Sequence, residues 1–143
     1  MEKGKHMNEQ SNIQLVQRAY QNFKTGDIQS FLNLLAEDVV WQLPEMANVP
    51  FAGTRQGRGQ VRQFFSKMAE VQDVVEFEPE EFIAQGDKVV VLGRFTMRVK
   101  ATGRDAHSAW AHVWTLQGKM ANSVREYVDT LAVSQAHNLA LND

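Results

Sequence analysis

The chain has 143 residues, of which 43% are hydrophobic and 22% charged, enough for one compact domain with a buried core. The formal net charge is −2 and there is no long basic run, so we expect no nucleic-acid partner. The absence of cysteine excludes disulfides and thiolate metal sites. No apolar run reaches the roughly 20 residues of a membrane span, and residues 1–7 lack the apolar segment expected of a signal peptide. We therefore expect a cytoplasmic protein without a membrane partner.

Three helices are predicted in the first half of the chain. Between residues 11 and 24 the apolar residues recur at spacings of three and four, which is typical of an amphipathic helix. Gly26 ends this helix, and Asp27 can cap a short second helix over residues 28–35. A third helix is predicted from about Arg58.

The second half of the chain has the two-residue period of β-strands. A short strand at 39–43 and a loop at 44–57 come before four long strands, predicted over 71–84, 88–101, 104–116 and 119–133. This order predicts one α+β domain over residues 11–135, with three N-terminal helices packed on one face of a curved sheet. Residues 1–10 are expected to be a disordered or vector-derived tail, and residues 136–143 a C-terminal tail.

Counting residues across the turns predicts which side chains share a face of the sheet. If Gln117-Gly118 is a two-residue hairpin loop, Trp110 opposes Arg125 and His112 opposes Ser123. A two-residue loop at Thr102-Gly103 would place Phe95 opposite Trp110, so that residues of the preceding strand share this face. The face expected to meet the helices then carries Phe95, Met97, Trp110, His112, Ser123, Arg125, Tyr127 and Asp129. A β-bulge would swap the faces, and Pro79 suggests one in the strand over 71–84, whose facing stays open.

The predicted inner face mixes aromatic and polar residues, which indicates a cavity wall and not a plain core. Asp129 is the candidate general base, or else it forms a structural pair with Arg125. His112 is a candidate acid, base or ligand donor, or else a core histidine satisfied by Ser123 or Tyr127. The opposite face is expected to be solvated, with a possible dimer patch at its centre formed by Ala109, Ala111, Val113, Val124 and Val128.

Short runs along residues 12–133 resemble the SnoaL-like branch of the nuclear transport factor 2-like superfamily. They include Phe31 to Asp38, Gly57-Arg58-Gly59, Thr102-Gly103-Arg104 and Glu126-Tyr127-Val128-Asp129. The resemblance implies a cone of three helices wrapped by a strongly curved, mixed or antiparallel sheet around one cavity, commonly in a homodimer. Members include polyketide cyclases, ketosteroid isomerases, limonene epoxide hydrolases and proteins that only bind or scaffold.

The resemblance also assigns positions to the family's catalytic groups. The proton-shuttling Asp of ketosteroid isomerases falls at Leu43, their oxyanion Tyr at Ala19, beside Tyr20, and their second oxyanion acid near His112. The water-activating Asp of limonene epoxide hydrolases falls at Asp129. Neither catalytic set is complete in this chain.

The sequence therefore predicts a protein that binds a small, mainly apolar molecule such as a polyketide, terpenoid or steroid-like compound. If it is an enzyme, we expect a cofactor-independent isomerase, cyclase or epoxide-hydrolase-like activity, without a metal. Asp129 would be the base, with His112 or Tyr127 as its partner. The predicted ligand-binding residues are Arg125, Tyr127, Trp110, Trp41, Phe95, Met97, Ser123 and Tyr20. The alternative is a non-catalytic ligand-binding or dimeric interaction module.

Overall fold

The computed structural model describes the backbone of residues 2–140 and the side chains of residues 8–140. The helices are α1 (Glu2–Thr25), α2 (Ile28–Asn33), α3 (Gly57–Val71) and α4 (Thr130–His137). The strands are β1 (Leu35–Leu43), β2 (Gly53–Gln56), β3 (Gln72–Gln85), β4 (Lys88–Val99), β5 (Asp105–Gln117) and β6 (Met120–Val128).

One mixed, six-stranded sheet runs in the order β2-β1-β6-β5-β4-β3, and its pairs are antiparallel except for β1 with β6. Helix α1 packs on β3 and β4, α3 packs on β1 and β2, and α4 packs on β5. The predicted α+β cone is therefore confirmed, with the sheet left open and not closed into a barrel.

Helix α1 ends and α2 begins as the sequence predicts. Gly26 takes a positive φ of 79°, a conformation that glycine adopts without steric cost, directly after α1. The Asp27 side chain accepts a hydrogen bond from the backbone N–H of Ser30 at 3.1 Å and caps α2.

Both ends of the domain extend further than predicted. Helix α1 begins at Glu2 and not at Ser11, and Glu9 accepts a hydrogen bond from the backbone N–H of Gly86 at 2.8 Å. The last strand ends at Val128, and α4 follows it and buries Ala136 and His137. The expected tails thus contribute to the fold, while Met1 and residues 141–143 lie outside the described residues.

The register between β5 and β6 differs from the predicted one and reverses the faces of β6. The hairpin loop is Gly118-Lys119, one residue later than predicted, so that Leu116 pairs with Ala121. A shift of two residues in the pairing keeps every side chain on its predicted face, so this change alone would not reverse β6. Asn122 is an additional, unpaired residue between the pairs Leu116–Ala121 and Thr115–Ser123, and this bulge turns the following residues over.

The inward residues of β6 are consequently Val124, Glu126 and Val128, opposite Trp114, His112 and Trp110. The prediction that Val124 and Val128 form part of an outer patch is therefore wrong. Ser123, Arg125 and Tyr127 point to the outside of the sheet, where they pair with Thr115, Val113 and Ala111.

The other strand pairs agree better with the sequence. Between β4 and β5 the loop is longer than predicted, so Gly93 and not Phe95 pairs with Trp110. The pairing moved by two residues, which leaves Phe95 and Met97 on the predicted face. Strand β3 shows a register shift after Pro79, as its sequence suggested, and a second one after Val74.

No helix within residues 2–140 is long and apolar enough to cross a membrane.

Candidate functional site

An apolar cavity of about 80 Å³ lies between the helices and the inner face of the sheet. Its aromatic and aliphatic wall comes from every layer of the fold, including Phe23, Phe31, Trp41, Leu43, Phe64, Phe65, Met68, Phe77, Phe95, Met97, Trp114, Val128 and Val133. The predicted loop after β1 contributes Met46 and Phe51 to this wall, and Ser134 of α4 donates a hydrogen bond to the backbone of Ala47 in the same loop. The 44–57 segment is thus a cavity wall that contains β2.

Five side chains form a hydrogen-bonded polar cluster in the cavity wall: Tyr20, Trp41, His112, Trp114 and Glu126. His112 Nε2 lies 3.0 Å from Glu126 Oε1, and His112 Nδ1 lies 2.7 Å from the Tyr20 hydroxyl. Trp41 donates to Glu126 Oε2 at 2.6 Å, and Trp114 donates to the Tyr20 hydroxyl at 3.0 Å. The side chains of His112 and Glu126 are only 8% and 14% exposed.

The Glu126 carboxylate determines the direction of the hydrogen bonds in this cluster. Because an ionised carboxylate can only accept, His112 Nε2 carries a proton and donates it to Glu126. In this tautomer of the neutral imidazole, His112 Nδ1 accepts from the Tyr20 hydroxyl, and the Tyr20 oxygen accepts from Trp114. Glu126 thus receives two N–H donors, one on each oxygen.

Tyr20 stays protonated in this position. Burial raises the pKa of Tyr20 well above its ordinary value, since the phenolate would lose its hydration. The hydrogen bond from Trp114 acts in the opposite direction, and the nearby charge of Glu126 raises the pKa further. Tyr20 is therefore a hydroxyl donor throughout the physiological pH range.

Trp110 supports the polar cluster from behind. Its ring stacks on His112 with centroids 4.0 Å apart and on Phe77 with centroids 5.0 Å apart. Gly93 makes this possible, because a Cβ on Gly93 would lie 2.4 Å from the Trp110 ring. The stacked indole of Trp110 thus restricts the orientation of the His112 ring, and Trp110 itself does not line the cavity.

The structure brings together five of the residues that the sequence singled out. Tyr20, Trp41, Phe95, Met97 and His112 all line the cavity. Their roles in binding or catalysis stay predictions.

Of the other five predicted residues, Trp110 lies on the predicted inner face but not in the cavity wall. The placement of the remaining four is wrong, because the bulge at Asn122 reverses β6 and the strand ends before Asp129. Ser123, Arg125 and Tyr127 lie on the outer face, where Arg125 donates to Gln42 at 2.9 Å and to the Tyr127 hydroxyl at 3.2 Å. Tyr127 is 47% exposed.

Asp129 is an exposed helix cap and lies outside the cavity wall. Its carboxylate accepts a hydrogen bond from the backbone N–H of Ala132 at 3.0 Å and begins α4. Its backbone N–H donates to Ser108 Oγ at 2.9 Å. The predicted Arg125–Asp129 pair is not among the ion pairs of the described residues.

Glu126 is the functional candidate that the turn count missed. The sequence carried a signal for it, since Val124 and Val128 lie two residues to either side and mark the apolar face of the strand. An acidic residue within an apolar alternation is expected to be buried with a partner. Here the partners are His112 and Trp41.

A second polar point lies at Gln72, the first residue of β3. His137 of α4 lies 3.1 Å from Gln72 Oε1, and both side chains are buried. Gln72 also lines a surface groove of about 510 Å³ that adjoins the cavity and shares with it Phe23, Phe65, Met68 and Val74.

Metal-ligating residues do not cluster anywhere in the part of the chain whose side chains are described. The polar cluster offers one carboxylate and one imidazole, which are already paired with each other.

A family model for the SnoaL-like domain matches residues 16–123, about three quarters of the chain. The chain therefore belongs to the SnoaL-like family, as its fold and its cavity indicate. No curated protein matches it.

Solved structures support this assignment. A nuclear transport factor 2-like protein from Burkholderia xenovorans LB400 is 36% identical, with a TM-score of 0.83, and the match covers 91% of this chain and 98% of that one. A nuclear transport factor 2-like protein of unknown function from Burkholderia pseudomallei K96243 is 29% identical over 90% and 98% of the two chains, with a TM-score of 0.81. TerC, co-crystallised with polyporic acid, is 31% identical over 89% and 98%, with a TM-score of 0.78.

Proposed function

We propose that this protein binds a small, mainly apolar molecule in its cavity and that Glu126 acts on the molecule as a general base. The observation that carries the proposal is a buried carboxylate in the wall of a mainly apolar cavity. The reaction class is proton transfer, either in an isomerisation or cyclisation or in the activation of a water molecule. A cytoplasmic location stays a prediction.

The lining of the cavity selects the class of ligand. Aromatic rings dominate the wall, and Glu126 is the charged residue that contributes to it within the described part of the chain. A mainly apolar wall favours flat, uncharged compounds, because an ionised ligand would lose its hydration without a counter-charge. A negatively charged ligand would in addition be repelled by Glu126.

Glu126 is a better base than His112 because it keeps free acceptor capacity. A carboxylate has about four lone-pair positions, and the bonds from His112 and Trp41 use two of them. Both ring nitrogens of His112 are occupied, by Glu126 and by Tyr20. His112 is therefore a positioning residue that orients the carboxylate and stabilises its charge, while Tyr20 donates to the other ring nitrogen of His112.

The comparison with TerC supports a ligand in the cavity. That protein shares the fold at 31% identity and was co-crystallised with polyporic acid.

A non-catalytic binding module is the second candidate function. It is favoured by the fact that Tyr20, His112 and Glu126 already bond to one another, which is also what a purely structural buried network requires. The two candidates differ in whether a bound compound is converted.

Isothermal titration with fluorenone, a flat uncharged probe, tests the binding part of the proposal. Val128→Phe adds bulk to the cavity wall, whereas Val75→Phe adds the same bulk at an exposed position of β3 and is the matched control. We expect V128F to weaken binding by about tenfold or more, which corresponds to roughly 1.4 kcal/mol, and V75F to leave it unchanged. Equal affinities for the wild type and V128F would remove the cavity as the binding site, and product analysis of bound compounds separates the enzyme from the binding module.

A further inference from the structure

We propose that the side-chain amide of Gln72 is a recognition group that donates a hydrogen bond to a neutral oxygen of the ligand, such as a carbonyl. The proposal rests on the ligand-binding function proposed above and adds the position and the chemistry of one polar group on the ligand. The bound molecule then has an apolar body with an oxygen at the boundary between the cavity and the groove.

The first observation is a buried donor without an acceptor. Gln72 is only 3% exposed, and its Nε2 has no hydrogen-bond partner among the residues whose side chains are described. A buried amide nitrogen without an acceptor costs about 1–3 kcal/mol, so native proteins pair nearly all such groups. An acceptor on a ligand would recover this energy.

The second observation is that His137 determines which amide atom remains available. Burial lowers the pKa of His137, because its charged form would lose hydration, and the ring is neutral at physiological pH. The neutral ring donates from Nε2 to Gln72 Oε1 at 3.1 Å. With its oxygen held by His137, Gln72 can offer only its nitrogen to a ligand.

The third observation is the place of Gln72 in the fold. Gln72 lines both the cavity and the adjoining groove, and it pairs with Val99 at the end of β4. His112 of the polar cluster pairs with Val91, in the first half of the same strand. A cavity of about 80 Å³ is smaller than the roughly 300 Å³ of ordinary ligand sites. A ligand that reaches Glu126 therefore extends past Gln72 into the groove.

The chemistry of the surroundings selects a neutral oxygen. The described residues that line the cavity include no Lys or Arg, and Arg62 in the groove already donates to Gln29. An uncharged amide can balance a carbonyl or ether dipole but cannot compensate a buried carboxylate. Thr96, another polar residue of the wall, is already paired with His107 at 2.9 Å.

Fluorenone and fluorene, two flat probes of nearly equal shape that differ in one carbonyl oxygen, test this proposal. Isothermal titration gives the affinity of the wild type, Gln72→Leu and Thr96→Val for both probes. We expect the wild type to bind fluorenone about three- to tenfold more tightly than fluorene, the range of one net hydrogen bond. In Q72L the preference should disappear while the affinity for fluorene is kept, and T96V should retain the preference.

A measurement on the wild type alone makes the test independent of how well Q72L folds. In ¹H–¹⁵N spectra, fluorenone should shift the side-chain NH₂ signals of Gln72 further downfield than fluorene does, because the two probes have nearly equal ring currents and differ in the carbonyl acceptor. Equal shifts of the Gln72 signals with both probes, equal affinity of the wild type for both probes, or a preference that survives in Q72L would each overturn the proposal and leave the cavity function intact. If neither probe binds, the proposed cavity function fails and this proposal fails with it.

Discussion

The carboxylate of Glu126 is held in apolar surroundings by two N–H donors, His112 Nε2 and Trp41 Nε1. Removing one partner of such a buried pair usually costs about 3–5 kcal/mol, because the remaining charge has no compensation. Placing the Glu126 charge beside the apolar cavity therefore costs stability, which the hydrogen bonds from His112 and Trp41 offset. That placement is the physical basis for assigning function to Glu126 and not to a more exposed acid.

Asp129 should behave as a helix cap. Asp129→Ala removes the acceptor for the Ala132 N–H and should lower the free energy of unfolding by about 1 kcal/mol, whereas Asp129→Asn should change it by only a few tenths. Chemical denaturation measures both. Weaker binding of a cavity ligand by the Asn variant would contradict the exposed position of Asp129.

Side chains whose position depends on helical spacing or on a two-residue shift were predictable from the sequence. Tyr20 follows from the periodicity of α1, and Phe95 and Met97 kept their face although the register of β4 moved. Glu126 was not found by counting across the turn, because one additional residue at position 122 reverses every side chain beyond it. The alternation of Val124, Glu126 and Val128 was the more reliable guide, since burial of an apolar face determines register more strongly than a turn does.

At the level of the elements, β6 consists of two segments, and the alternation of inward and outward side chains is interrupted between them. Ala121 and Val124 both point inward although three positions separate them, and the bulge at Asn122 makes this possible. The same strand therefore packs Ala121 under the helices and still presents Glu126 to the cavity.

Deletion of Asn122 should be tolerated better than deletion of Arg125. Without Asn122, Leu116–Ala121 and Thr115–Ser123 become consecutive pairs and all inward residues keep their face. Without Arg125, either Val124 or Glu126 must turn outward, which should cost several kcal/mol more. Chemical denaturation of both deletions, with Arg125→Ala to account for the lost side chain, checks this, and equal losses would contradict the assigned bulge.

Helix α4 should make the stability of the protein sensitive to acid. Burial lowers the pKa of His137 in the folded state, so the unfolded chain binds a proton more readily. The contribution of His137 to stability is therefore complete above about pH 6.5 and is lost as the pH falls below that value.

Denaturation curves between pH 5 and pH 8 test the role of His137. The decrease in the free energy of unfolding towards low pH should be smaller in His137→Gln than in the wild type. His107→Gln, at an exposed position, should retain the wild-type slope. Identical slopes in all three proteins would show that His137 does not contribute.

At the scale of the whole molecule, the inner face of the sheet meets the helices, and no element within residues 2–140 covers the outer face. Its centre carries the half-buried apolar residues Val90, Leu92, Ala111 and Val113, beside exposed Tyr127. We propose that two copies pair through this face. Of the predicted dimer patch, Ala111 and Val113 belong to this interface, whereas Val124 and Val128 face inward and do not.

Light scattering coupled to size exclusion measures this association. The wild type should elute as a dimer, and Val113→Glu should shift it towards the monomer, because a buried unpaired carboxylate opposes association. Ile83→Glu, at an exposed position on the edge strand β3, should leave the mass unchanged. A monomeric wild type, or an equal effect of both substitutions, would contradict a dimer through the centre of the sheet.

The overall fold was predictable because helical and strand periods separate cleanly along the chain and several short runs resemble one family. The polar cluster was not, since Tyr20, His112 and Glu126 come from α1, β5 and β6 and meet only when the curved sheet closes over the helices. Contacts between residues so distant in sequence leave no local pattern.

Solvent-deuterium exchange of a flat enolisable ketone, 2-tetralone, followed by ¹H NMR, tests most directly whether Glu126 transfers protons in the cavity. The wild type should exchange the protons next to the carbonyl faster than buffer does, and Glu126→Gln should reduce this catalysed rate by about a hundredfold or more. Asp129→Asn, which keeps the cap of α4, should exchange at the wild-type rate. Equal rates for the wild type and Glu126→Gln would contradict the assignment of Glu126 as the base.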